Sequence, residues 1–258
     1  MNGAFTDHVL KYAAQGMHLD GRKIHDLREL TIEYGISKSA EGSARVRLGQ
    51  TEVIAGVKLD VEKPYPDTPE NGNLAVNVEL LALSSPDFET GPPSNQANEI
   101  ARVVDRGIRE SKAIDTKKLC ITPHEKVWSV MIDVCTMNDA GNLLDACAIA
   151  AMAALQDAKL PGFDGKAVQY DVKSDKPVPL DSVPVSVTVY KIGKHFIIDP
   201  DTDEEKVSEA RLTVASKEDG TLCAFQKGGD APLSSEDICQ MVDIALDTAE
   251  KIRPQLQR

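Results

Sequence analysis

Three features of this 258-residue sequence could do chemistry. The stretch NQANEIARVVDRGIRESK carries Arg102, Arg106 and Arg109 at i, i+4 and i+7. That spacing puts them on one face of a helix, opposite a stripe of Ile100, Val103, Val104, Gly107 and Ile108. Guanidinium groups so placed suit phosphate oxygens, which they grip through paired N–H donors. The same arginines can instead be neutralised locally, Arg102 by Glu99, Arg109 by Asp105 and Arg106 by Glu110. Exposed pairs of that kind are worth about 0–1 kcal/mol each. Spacing leaves both readings open.

The second feature is a glycine turn before an alanine-rich helix, DAGNLLDACAIAAMAAL at residues 139–155. Unpaired N–H groups and the helix dipole converge at such a place and favour an anion. Here Gly141 makes the turn, Asn142 is expected to cap the helix with its side-chain oxygen, and Leu143 brings no polar group. Asp145, three residues after the cap, is expected to return a hydrogen bond in a capping box and to supply the negative charge a phosphate would bring. The turn reads as satisfied from within. Third, DPDTDEE at residues 199–205 gathers five carboxylates. Such a cluster can hold Mg²⁺ beside a substrate phosphate, but it also reads as a solvated acidic loop between two strands. The five histidines are scattered without metal-ligand spacing and read as surface or loop residues. Neither a G-x-S-x-G elbow nor a Walker loop occurs.

The elements that must position these groups follow from periodicity. Thr6 is expected to cap an opening helix with Val9, Leu10 and Ala13 on its apolar side. Period-two alternation then predicts strands in SARVRLG (Ala44, Val46, Leu48), TEVIAGVKLD (Val53, Ala55, Val57, Leu59) and NLAVNVELLAL (Leu74, Val76, Val78, Leu80, Ala82). The arginine-bearing helix follows, then the strand VWSVMIDVCTMND and the alanine-rich helix over 142–158. Strands KAVQYDV, VPVSVTVY, KHFIID, ARLTVAS and LCAFQK lead to a last helix over 235–252. Its inward residues are Ile238, Met241, Val242, Ala245, Ala249 and Ile252, and Pro254 is expected to stop it. Clustered strands alternating with helices predict an α+β fold of mixed or antiparallel sheets backed by helices. The break at KLPGFDG divides the chain into halves, 1–160 and 161–258, of one compact unit.

Composition narrows the function. Net charge is −12, so nucleic acid can be met only through a local basic patch or a partner subunit. No run of 18 apolar residues or secretory signal appears, and five separated cysteines suit reduced thiols, mostly buried, in a cytoplasmic protein.

Taken together, these residues resemble the ribonuclease PH family, and within it the non-catalytic subunits of the archaeal exosome ring. The resemblance runs from about Leu19 to Ile252. It rests on DGRKIHDLREL, AEGSARVRLGQTEVIAGVK, PYPDTPENG, ETGPPSNQANEIARVVDRGIRESKAID, GNLLDACAIAAMAAL, PVSVTVYKIGKHFIIDPDTDEE and the closing helix. It implies a duplicated βα unit of the RNase PH-like fold (ribosomal protein S5 domain 2-like), assembled in a ring. In active members, inorganic phosphate attacks the 3′-terminal phosphodiester of RNA. That requires a G-G-T/S-R phosphate loop and acidic residues near the scissile bond, commonly with Mg²⁺. The loop falls here on Ala140, Gly141, Asn142 and Leu143, so hydroxyl and arginine are missing. Two acidic positions fall on Glu205 and Arg211, the second now a cation. The expectation is a chain with no catalytic residue, no metal and no cofactor of its own, phosphate and Mg²⁺ belonging to a catalytic partner. Arg102 and Arg106, and less closely Arg109, match arginines that contact single-stranded RNA. The resemblance further implies that this chain pairs with a catalytic RNase PH-like subunit, three such pairs forming a hexameric ring under S1/KH-domain cap proteins in 3′-to-5′ RNA degradation. The rival readings are an active phosphate-dependent exoribonuclease and a scaffold without RNA contact.

Overall fold

The computed structural model describes residues 3–256. The chain opens with α1 (Gly3–Ala14), then runs β1 (Leu30–Tyr34), β2 (Gly42–Leu48), β3 (Thr51–Glu62) and β4 (Asn73–Glu79). Helix α2 (Asn95–Glu110), a 3₁₀ turn (Thr116–Leu119), β5 (Cys120–Thr122), β6 (Lys126–Asn138) and α3 (Leu143–Asp157) follow. After a hairpin of β7 (Lys159–Phe163) and β8 (Val168–Pro177) come β9 (Val185–Ile192), β10 (His195–Ile198), α4 (Thr202–Val207), β11 (Ala210–Ser216), β12 (Leu222–Gly228) and α5 (Ser235–Leu256).

One mixed sheet has the order β1-β2-β3-β6-β4, with β5 added on β6. Alternation fixes its register: Val53, Ala55, Val57 and Leu59 of β3 are wholly buried while their neighbours face outward. Strand β4 runs parallel to β6, which α2 makes possible by carrying the chain back over the sheet. A second, antiparallel sheet has the order β10-β9-β11-β12. The fold is α+β, with a mixed and an antiparallel sheet, as the periodicity predicts.

Helix α3 lies between the two sheets and is buried from Leu143 to Leu155. This explains its alanines. A helix enclosed on every side can approach a sheet closely only with small side chains. The approach is closest at Gly42 of β2, where a Cβ would run into the backbone of Ala154 and Ala158.

Several local expectations are corrected. Thr6 lies inside α1, which starts by Gly3, so it is no cap. Leu10 is only half-buried, and Val9 and Ala13 carry that helix's packing. Helix α5 continues through Pro254 to Leu256, because Leu256 is buried and its carbonyl accepts from Tyr34 Oη at 3.3 Å. Ile238 of α5 is 39 % exposed, not inward. Of the cysteines only Cys147 is buried; the rest are half-buried or exposed, and all five are free thiols.

The Gly42 contact carries a prediction. Gly42→Ala should lower stability by about 1–3 kcal/mol through overpacking, read as a lower urea midpoint. An unchanged midpoint would mean α3 stands farther from β2 than described.

Candidate active-site cleft and arginine face

The turn before α3 is built by backbone geometry that the sequence did not reveal. Gly141 has φ +92°, and a Cβ there would lie 2.5 Å from the Pro200 carbonyl oxygen. Asn142 is also left-handed, with φ 57° and ψ 42°, a conformation asparagine tolerates better than most residues. Its side chain therefore points away from the first helical N–H groups, and it makes no cap. The expected capping box at Asn142 and Asp145 is absent. Instead Asn142 Nδ2 donates to Asp145 Oδ2 at 3.0 Å and to Asp199 Oδ1 at 3.1 Å. The Asn142 backbone N–H donates to Glu205 Oε1 at 2.8 Å. A carboxylate of the chain thus occupies the donor that a bound anion would use.

The turn is latched from both halves of the chain. Thr51 Oγ1 donates to the Gly141 carbonyl at 2.6 Å, and the Arg28 guanidinium donates to the carbonyls of Ala140 and Gly141 at 2.7 and 3.1 Å. Arg28 also grips Asp199, through its backbone N–H at 2.7 Å and its Nη2 at 2.6 Å. Asp199 is fully buried, so this pairing is what permits its charge inside the protein.

The acidic stretch is not a solvated loop. It folds into α4, and the capping box lies there: Asp201 Oδ1 accepts from Glu204 N, and the Glu204 side chain accepts from Asp201 N. Glu204 is buried and accepts from His18 Nδ1 at 2.8 Å, so His18 is not the surface residue expected. Burial pushes Glu204 up, but the His18 partner and the backbone donors of Leu19 and Asp201 hold it below the usual range.

Beside the turn opens a cleft of about 510 Å³, whose walls include Asp87, Glu99, Asp139, Leu143, Tyr190, Glu205, Lys206 and Arg211. Four carboxylates face two cations. Burial raises both Asp139 and Glu205 above the ordinary carboxylate range. Glu205 also accepts from Tyr190 Oη at 2.9 Å. Arg211 donates to Glu99 Oε1 at 2.6 Å. A phosphate dianion would meet those carboxylates and find its backbone donor taken. Among the described residues, no group of three or more His, Cys, Asp or Glu side chains could hold a metal ion.

Helix α2 starts at a Ser94 cap, whose side chain accepts from Ala97 N, and its apolar stripe is buried. Of the three local pairs expected on its polar face, one forms: Asp105 accepts from Arg109 at 2.7 and 3.1 Å. Arg109 donates as well to the Leu74 carbonyl. Arg106 turns to β12, donating to the Phe225 carbonyl at 3.3 Å and Gln226 Oε1 at 3.4 Å. Arg102 is exposed and makes no hydrogen bond or ion pair among the described residues. The cleft and the arginine face meet at Glu99, which lines the first and belongs to the helix bearing the second.

The match to known proteins agrees with this architecture. The 3′ exoribonuclease family matches in both its parts, domain 1 over residues 26–161 and domain 2 over residues 182–248. The chain belongs to that family, the RNase PH-like 3′ exoribonucleases. Its similarity is more particular than that. The exosome complex component Rrp42 of Methanosarcina acetivorans is 44 % identical over 247 residues, 96 % of this chain and 91 % of that protein. The Rrp42 of Thermococcus onnurineus is 42 % identical over 256 residues, covering 98 % and 94 %. A structure of the Archaeoglobus fulgidus exosome with RNA bound to the active site superposes with a TM-score of 0.91 at 40 % identity, covering 99 % of this chain and 98 % of that one. Rice Rrp46, at 19 % identity and TM-score 0.67, shares the fold. The chain is a homologue of archaeal exosome core subunits. Among the described residues no helix is long and apolar enough to cross a membrane.

Asp145 supplies a test of the turn. It accepts from Thr188 N and Oγ1 at 3.1 and 2.7 Å, and burial pushes its carboxyl up to about 7. A carboxyl raised in the folded state binds more protons folded than unfolded, so its contribution weakens from about pH 4 to pH 7 and is level above. Asp145→Asn should therefore gain stability relative to the wild type across that window, measured by urea midpoints at pH 4, 5.5 and 7. A difference independent of pH would show Asp145 ionised throughout.

Proposed function

We propose that this chain is a non-catalytic ring subunit of an archaeal exosome, completing the active site of a neighbouring catalytic RNase PH-like subunit and gripping RNA through α2. One observation carries the first half: Glu205 Oε1 sits on the Asn142 N–H at 2.8 Å. By resemblance, Glu205 stands where active members keep an acid and residues 140–143 where they keep the phosphate loop. The acid and the loop here satisfy each other. Inorganic phosphate does not fit this turn, and no step of phosphorolysis runs through it. Arg211, at the second acidic position, places a cation where leaving-group chemistry would need a carboxylate. Phosphate and Mg²⁺ belong in this reading to the catalytic neighbour.

The second half is supported by α2. Arg102 has its whole guanidinium available, and Arg106 is oriented by β12 through one nitrogen, leaving its other donors for a phosphate. Arg109, doubly engaged by Asp105, contributes least. A chain of net charge −12 can then meet RNA through a local patch within an assembly. The reading places three such subunits in alternation with three catalytic ones, beneath S1/KH-domain caps, in the cytoplasm.

The test replaces Arg102 and Arg106 with Glu in a ring reconstituted with its catalytic subunit. Binding of a fluorescent oligoadenylate should weaken roughly tenfold or more, and the salt dependence should become shallower by about 1.4, at about 0.7 per single-strand phosphate. Unchanged affinity and slope would leave a scaffold without RNA contact.

A further inference from the structure

Helix α2 holds an unusual arrangement of its own charges. Arg102 is flanked by Glu99 three residues before and Asp105 three residues after, both neighbours on the helix surface. Either could neutralise it. Both are engaged elsewhere. Asp105 presents both oxygens to Arg109, at 2.7 and 3.1 Å. Glu99 reaches across to the second sheet, where its Oε1 accepts from Arg211 Nη2 at 2.6 Å. The Arg211 side chain passes over β12 at Gly228, its register partner. A Cβ on Gly228 would lie 2.6 Å from Arg211 Cζ, so the glycine clears the path to Glu99.

We propose that Arg211 is a positioning residue for RNA binding: by holding Glu99, it keeps that carboxylate off Arg102 and leaves the Arg102 guanidinium uncompensated for an RNA phosphate. This rests on the reading of α2 as an RNA-contacting face. It gives Arg211 a task where active members need an acid. The cleft behind Glu99 supplies the second half of the reason. Glu99 shares that wall with Asp87, Asp139 and Glu205, against Lys206 and Arg211. Without Arg211 a single lysine faces four carboxylates. Repulsion then drives Glu99 outward to the nearest cation on its own helix, Arg102. Asp105, held by Arg109, completes the same device on the other side.

The test uses the reconstituted ring with a fluorescent oligoadenylate and measures affinity as a function of salt. Arg211→Ala should weaken binding roughly threefold to fivefold, the worth of one exposed charge pair. The salt slope should become shallower by about 0.7, one single-strand phosphate. Adding Glu99→Gln to Arg211→Ala should restore both affinity and slope, because the freed side chain is no longer charged. Unchanged binding in Arg211→Ala overturns the proposal. So does a loss that Glu99→Gln does not recover, which would make Arg211 an RNA contact itself or a purely structural residue. Arg102→Glu separates the two levels of the reading. If it leaves binding unaltered, RNA contact by α2 fails and the proposal falls with it. If it weakens binding while Arg211→Ala does not, only the positioning role fails.

Discussion

The buried carboxylate of Asp199 organises this molecule. It is fully enclosed, and Arg28 and Asn142 converge on it from elements far away in sequence. A charge so placed is tolerable only when paired and hydrogen-bonded. Satisfying it fixes three things together: the course of the chain before β1, the left-handed turn at Gly141 and Asn142, and the approach to α4. Once Arg28 has taken Asp199, its remaining donors hold the carbonyls of Ala140 and Gly141. The turn then presents the Asn142 N–H to Glu205. The two sheets are joined on either side of α3 by that chain of contacts as well as by apolar packing.

The consequence for chemistry is local. A glycine turn feeding a buried helix is a place that favours an anion, and here the protein's own Glu205 carboxyl group occupies it. In the proposed function RNA is met on α2, whose arginines differ in how far the chain has neutralised them. Arg109 is paired, Arg106 is oriented, and Arg102 is left open. The cleft and the helix are joined through the bond between Glu99 and Arg211.

Much of the framework was legible in the sequence because it depends on period. The buried face of β3 at Val53, Ala55, Val57 and Leu59 and the stripe of α2 were read from alternation and from 3.6-residue spacing. The positions of the degenerate turn and of Arg211 came from resemblance. What escaped depends on distant partners. Asn142 looked like a cap because caps are local, but its conformation answers to Asp199 and Glu205, 57 and 63 residues on. Residues 199–205 looked solvated because carboxylates usually are; nothing nearby announced Arg28 or His18 as their partners. Helical spacing pairs Glu99 with Arg102, its neighbour on the helix, whereas it bonds Arg211 across the fold. Short-range rules place elements, and buried charges choose partners by tertiary proximity.

In the proposed function, Glu205 and the Asn142 turn satisfy each other and leave no phosphorolytic site. The most direct measurement of this is release of nucleoside diphosphate from oligoadenylate by the purified chain alone, with inorganic phosphate and Mg²⁺, for the wild type and for Asn142→Thr with Leu143→Arg. The account predicts no release above background from either, because the restored loop would still face Glu205 on its donor and Arg211 in place of an acid. Sustained diphosphate release by the partner-free chain would contradict it.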